Sequence, residues 1–300
     1  MPKLQNRKAA SPIKMLVVGD SGTGKTGALE SLVRAGYKLK IIDFDNGLDY
    51  LQEALSDSPE LLENVDYAVF TNKFKTVNGR VIPKGAPKAW ADALKLLESG
   101  KVPNSEGEDW GAPESWDEST FLVIDSLTMA SKAAMLQHLQ LQSRLFEPPQ
   151  IQDWGASQSI VEGLIQWLCS EDIKCNVIVL THINYIELQN GIVKGFPSTV
   201  GKALSLVLPR YFNTILNVTI KGTGKTAQRI VSPVPVQSIE TKAAVPVEKL
   251  PEYWPIQTAY AEYMLLAKGS VPNPDYKPKA VAAKDSQPSG GNKSGLSFKK

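Results

Sequence analysis

Residues 19–26 read Gly-Asp-Ser-Gly-Thr-Gly-Lys-Thr, which fits the pattern G-x-x-x-x-G-K-[ST]. The run before it, residues 14–19 (KMLVVG), is short and apolar, which predicts a buried strand. The run after it, residues 25–35, predicts a helix stopped at Gly36. Strand, glycine-rich loop and helix in that order are the context in which this motif holds phosphate. The glycines let the backbone curl until its N–H groups converge on an anion. The helix N-terminus adds the positive end of its dipole. Gly19, Asp20, Ser21, Gly22, Thr23 and Gly24 therefore form a candidate phosphate cradle. Lys25 is placed to reach β- and γ-phosphates, and Thr26 to offer its hydroxyl to Mg²⁺.

The same residues contain a rival pattern. Gly22-Thr-Gly-Lys-Thr-Gly27 fits G-x-G-x-x-G, and Asp43 lies near the end of the next strand, where a ribose-binding acid would stand. The first glycine after the strand is Gly19, however, which gives the longer loop. Gly24 is also followed by the Lys-Thr pair that phosphate chemistry needs, so the dinucleotide reading is rejected. A similar string at residues 222–226 (GTGKT) has Thr219 where the first glycine should be and lies between two strand-like runs. It reads as a hairpin turn.

Strand-like and helix-like stretches alternate through the rest of the chain. Residues 38–44, 65–70, 121–125 and 176–181 read as strands, and residues 48–56, 88–97, 127–145 and 158–170 as helices. Asn78-Gly79 marks a hairpin turn. Residues 211–220, 226–232 and 236–240 look like hairpin strands around Gly222 and Gly224. The expected fold is α/β: a mostly parallel central sheet with helices on both faces and antiparallel hairpins at one edge.

With 300 residues the chain is long enough for a substantial core, and no run approaches eighteen apolar residues, which excludes a transmembrane helix. The basic N-terminus lacks an apolar segment, so a secretory signal is not expected. Two cysteines, Cys169 and Cys175, exclude a disulfide scaffold and a multi-cysteine zinc site. Net charge is +2 but uneven: residues 1–14 and residues 269–300 each carry +4, leaving the body at −6. The expected division is a basic arm (1–14), an ATPase domain (15–268) and a basic, disordered tail (269–300) rich in Gly, Pro and Ser. Residues 97–118 hold seven acids against Lys101, whereas residues 188–239 hold six bases and no acid. The second run suits a polyanion partner.

A phosphate loop that serves hydrolysis needs a metal-supporting carboxylate. Residues 121–125 (FLVID) would carry Asp125 to the C-terminal edge of the sheet, beside the loop, with Ser126 supporting it. A group that orients water is also needed. Asp43 and Asp45 close the second strand (IIDFDNGLD), and either can be the base, Asp45 projecting further. His182 ends the run NVIVLTH and would face a γ-phosphate from the same edge.

In this order the motifs resemble a RecA-type P-loop ATPase core, most of all the short phage-encoded forms associated with single-strand annealing, over residues 15–247. IIDFDNGLD resembles that family's second-strand motif, whose catalytic acid falls on Asp45. FLVIDSLT resembles its metal-binding strand, and VIVLTHI its sensor strand, where His182 stands in place of glutamine. The resemblance implies ATP and Mg²⁺ as cofactors and Lys25, Asp45 and His182 as catalytic groups. It implies single-stranded DNA contacts in a loop over residues 184–202, with Tyr185, Lys194, Phe196 and Lys202, and in a second loop near residues 146–154. SIETKAAVP resembles a late strand whose lysine, here Lys242, reaches the nucleotide of a neighbouring subunit. The implied protein is an ATP-hydrolysing, single-stranded-DNA-binding recombination protein, a homo-oligomer in the cytoplasm (the host's, if phage-encoded) that works with a single-strand-binding protein. The alternative is a P-loop NTPase that acts as a switch on protein partners without DNA. A small-molecule kinase is disfavoured, because no arginine cluster suited to a lid follows Arg80.

Overall fold

The computed structural model describes residues 12–103, 108–188, 191–236 and 238–278. The basic arm up to residue 11 and the tail from residue 279 lie outside the described residues.

The elements run β1 (Lys14–Gly19), α1 (Glu30–Arg34), β2 (Lys38–Asp43), α2 (Asp49–Ala54), β3 (Val65–Val69), β4 (Phe74–Val77), β5 (Arg80–Pro83), α3 (Ala89–Ser99), β6 (Thr120–Asp125), α4 (Leu127–Leu141), α5 (Ile151–Leu168), β7 (Asn176–Thr181), β8 (Ile183–Glu187), β9 (Val193–Pro197), α6 (Lys202–Val207), β10 (Thr214–Lys221), β11 (Gln228–Ser232), β12 (Trp254–Pro255) and α7 (Ala259–Lys268). Eight strands form one sheet in the order β12-β11-β10-β1-β7-β6-β2-β3. From β10 to β3 every pairing is parallel; β11 and β12 are added antiparallel at one edge.

Strands β1, β6 and β7 are buried along their whole length, which is why they read as unbroken apolar runs rather than alternating ones. Alternate residues feed two cores. Leu16, Val18, Leu122, Ile124, Val177 and Val179 pack with α3, α4 and α5. Met15, Val17, Phe121, Val123, Ile178 and Leu180 pack with α1 and α7 on the opposite face. A one-residue slip would exchange the two sets, so the register is strongly specified. It sets Asp43 beside Asp125 and Val18 beside Thr181, bringing four strand ends to one edge. The expected fold class is the observed one.

Several expected boundaries differ. The helix after the loop begins as a 3₁₀ turn over Gly27–Leu29 and is α-helical only from Glu30. The long helix expected to residue 145 stops at Leu141, and its partner starts at Ile151 rather than residue 158. Gln150 and Asp153 form a capping box there, which initiates the helix directly after Pro148-Pro149. Residues 236–240 form no strand, only a bridge between Val236 and Ile239; the sheet is extended instead by Trp254–Pro255. The string at 222–226 is indeed the turn between antiparallel β10 and β11. Asn78 and Gly79, both at positive φ, join β4 to β5, the conformation a two-residue hairpin turn demands.

Both charged ends are partly structural. Lys14 is buried at the start of β1, its amine donating to the carbonyls of Ile173 at 2.9 Å and Cys175 at 3.1 Å. Burial lowers its pKa to about 8. Residues 269–278, expected in the disordered tail, pack on the body. The Asn273 amide donates to the Ala35 carbonyl at 2.9 Å, and Tyr276 joins the α1 core.

Candidate nucleotide site

The phosphate loop leaves β1 at Gly19, where a Cβ would stand 2.5 Å from the Val218 carbonyl of β10. Only glycine tolerates that approach. Gly22 and Gly24 both take positive φ, which completes the curl. Lys25 is buried, and its ammonium donates to the carbonyls of Gly19 and Asp20, both at 2.9 Å. Burial lowers its pKa, against the opposing pull of Asp125, Asp45 and Asp20. Thr23 donates to the Asp20 carbonyl at 2.8 Å, so it braces the loop with its side chain. From the far face, the buried Tyr260 of α7 donates to the Lys25 carbonyl at 3.2 Å.

Asp125 ends β6 and accepts a hydrogen bond of 2.6 Å from the Thr26 hydroxyl. Burial raises its pKa to about 7; the Thr26 bond lowers it, while Asp45 and Asp43 raise it further. Ser126, expected to support Asp125, donates instead to Asp45 at 3.1 Å. The two acids after β2 separate clearly. Asp43 is buried and accepts from the backbone N–H groups of Asp45, Asn46 and Gly47 at 2.8, 2.7 and 3.1 Å, so it closes the turn. Asp45 is exposed and lines the cavity above the loop. His182 follows β7 and lines the same cavity; burial lowers its pKa, and Lys25 lowers it further.

This cavity, about 310 Å³, is bounded by Ser21, Gly22 and Gly24 to Gly27, by Asp45, Asp125 and His182, and by Tyr50 and Arg229. Tyr50 covers Gly27, where a Cβ would lie 2.4 Å from its ring. No sequence signal places Tyr50 or Arg229 at this site: Tyr50 sits on a short helix, and Arg229, one of the six bases of the acid-free run, arrives from a strand some two hundred residues away.

The donor set fits Mg²⁺. A hydroxyl and one carboxylate are hard oxygen ligands, and Mg²⁺ commonly takes one or two carboxylates and completes its shell with water and substrate phosphate. Among the described residues no cluster of three His, Cys, Asp or Glu side chains offers a complete protein cage.

The positions expected to contact DNA lie mostly on regular elements rather than in open loops. Within residues 184–202 β8 pairs with β9 as a hairpin, and Lys202 begins α6. Tyr185 is exposed, and its pKa is raised by desolvation and by the charge of Asp20. Phe196 is half-buried, and Lys194 is paired with Glu240. The second expected loop is half helix, with Phe146 and Ile151 exposed and Arg144 bonded to the buried Asp153. Lys242 lies at the opposite end of the sheet from the phosphate loop, its backbone bridged to Ile215 and its amine donating to the Phe212 carbonyl at 2.7 Å.

A glycine-rich phosphate loop at the C-terminal edge of a mostly parallel sheet, with a buried carboxylate at the end of β6 two strands away, is the arrangement of a P-loop nucleotide-binding fold. The chain belongs to the AAA_24 family of AAA domains, whose model matches residues 11–245. Solved structures similar to it include the RadB recombinase (14% identity, 74% of this chain and 80% of that one, TM-score 0.39). A KaiC-like protein from Pyrococcus horikoshii (12%, 81% and 84%, 0.38) and the flagellar accessory protein FlaH from Methanocaldococcus jannaschii (10%, 74% and 79%, 0.35) are also similar. No curated protein matches the sequence. Among the described residues no helix is long and apolar enough to cross a membrane.

Proposed function

We propose that this protein binds single-stranded DNA in its ATP-bound state, anneals or exchanges strands, and hydrolyses ATP to let go. The observation that carries this reading is the exposed ring of Tyr185, on a hairpin that follows directly after His182 at the cavity's edge. The hairpin sets an exposed aromatic three residues from His182, which lines the cavity. An exposed ring suits base stacking, and basic side chains along the run suit backbone tracking. In the proposed reaction Lys25 neutralises the phosphates, and Thr26 and Asp125 would hold Mg²⁺, which would supply further charge neutralisation. Asp45 orients water and accepts its proton, held by Ser126. His182 meets the γ-phosphate. Lys242 reaches a neighbouring subunit in a homo-oligomer, and the tail recruits a single-strand-binding protein. The setting would be a phage recombination system in the host cytoplasm.

A second reading, a switch acting on protein partners, is favoured by one observation. Lys194 and Lys221 are paired with Glu240 and Glu252, acids that lie beyond the acid-free run. The deciding experiment is steady-state ATP hydrolysis with and without single-stranded DNA, in the wild type and Lys25→Ala. Stimulation by DNA that vanishes in the variant supports the recombination reading. A Lys25-dependent rate indifferent to DNA at low salt supports the protein switch.

A further inference from the structure

The cavity has two walls of different origin. Strands β7, β6 and β2 lie on one side of β1 and deliver His182, Asp125 and Asp45; strands β10 and β11 lie on the other. Arg229 of β11 is the charged group that lines the cavity from that second side. Its Nε donates to the Gly22 carbonyl at 3.2 Å, and its Cδ stands 3.0 Å from where a Gly24 Cβ would be. The side chain therefore lies directly across the two glycines that curl the loop. A guanidinium carries five N–H donors. Only the Nε bond is made to protein among the described residues, so both terminal amino groups remain available at the cavity wall.

We infer that Arg229 is a nucleotide-binding residue that clamps the α- and β-phosphates from the β11 side, within its own subunit. The inference rests on the reading of this cavity as the ATP site. The metal-supporting pair Thr26–Asp125 and the water-orienting Asp45 place the γ-phosphate end on the β6–β2 side. An anion contacted from the opposite side is the other end of the phosphate chain. Arginine suits it because its planar fork bonds two phosphate oxygens at once. The bond to Gly22 adds a second effect, since it holds the fork in place before the ligand arrives, which lowers the ordering cost on binding. The antiparallel extension of the sheet would then be part of the binding site as well as a cover for its edge.

The test uses the full chain and two ligands, ADP by direct titration and inorganic pyrophosphate by competition. The informative variant is Arg229→Gln. The glutamine Nε2 stands as many bonds from the backbone as the arginine Nε, so it keeps a donor for the Gly22 carbonyl and loses only the charged fork. We expect Arg229→Gln to weaken both ligands about tenfold, the scale of a hydrogen bond to a charged group. It should also flatten the salt dependence of pyrophosphate binding, while Arg229→Lys recovers part of each loss. Equal melting temperatures without ligand would show that the loop is intact. Wild-type affinity of Arg229→Gln for ADP and pyrophosphate would overturn the inference and leave Arg229 as a brace for Gly22. A wild-type chain that binds neither ligand would overturn the nucleotide reading along with it, and that result appears before any substitution is made.

Discussion

The phosphate-loop corner and the β8–β9 hairpin both grow from the C-terminal ends of core strands, and they are held by different means. At the loop, four strands of fixed register deliver Gly19, Asp43, Asp125 and His182 to one edge. Lys25, Asp43 and Asp125 there are buried and bonded to backbone or to a neighbouring side chain. At the hairpin, backbone pairing sets the shape, but Tyr185, Ile192 and Val193 are exposed and Lys194 is tied to a distant acid. Buried register determines where a side chain stands; an exposed hairpin determines only where it starts. Chemistry that needs fixed geometry belongs to the first corner, and recognition that tolerates variation belongs to the second.

The largest expected effect breaks the first corner alone. Lys25→Ala should lower ATP hydrolysis by at least about 100-fold, the scale of removing one preorganised charge-stabilising donor. Retained hydrolysis would move the chemistry away from this loop. Next, Asp45→Asn should lower kcat by roughly 100-fold, as loss of a general base does, with ATP affinity little changed. Asp43→Asn should act on stability instead, because it weakens three backbone caps. Comparing kcat with the melting temperature for the two variants separates the roles. If Asp43→Asn lost kcat at unchanged stability, the assignment of the two acids would be reversed.

The two corners differ equally in what their residues disclose before folding. The loop motif, the apolar strands and their terminal acids were legible because full burial on both faces leaves an uninterrupted apolar run, and the motif's glycines answer to backbone geometry. What was not legible came from long-range closure. Arg229 reaches Gly22 only because β11 folds back beside β10. The choice between Asp43 and Asp45 depends on which carboxylate the turn's own N–H groups occupy. The run 188–239 has no acid in sequence, yet Glu240 and Glu252 supply acids in space. Helix α7 has no counterpart in the sequence reading and residues 269–278 read as disordered tail, because their packing partners lie on α1, at the far end of the chain.

A smaller effect probes the join between the corners. Tyr185→Ala should weaken single-stranded DNA binding by about 1–3 kcal/mol if the ring stacks on a base, while Lys25-dependent hydrolysis without DNA persists. Unchanged DNA affinity would remove the hairpin from the interface. The imidazole of His182 offers a spectroscopic version of the same question. Its pKa lies below the ordinary 6.5 because of burial and Lys25. The folded state then takes up fewer protons than the unfolded one as pH falls through 6.5, so this group's contribution to stability declines in that direction. Bound phosphates bring negative charge to the cavity and should raise this pKa. The chain has only two histidines, so the ring signals are readily followed by NMR during a pH titration with and without ADP. No upward shift would place the nucleotide away from His182.

The smallest expected effect addresses the charge of the hairpin. Lys194 is more than half shielded and paired with a mostly exposed Glu240, and an exposed pair of this kind contributes about 0–1 kcal/mol. Breaking it should therefore leave stability nearly unchanged. If the hairpin faces DNA, Glu240→Gln frees Lys194 for a phosphate, and affinity should rise a few-fold at low salt. The dependence of log Kd on log salt should steepen by about one contact. Lys194→Ala should give the opposite change in slope. If both variants leave the slope unaltered, the pair is a structural tie between the hairpin and residue 240, and the acid-free run owes nothing to a polyanion.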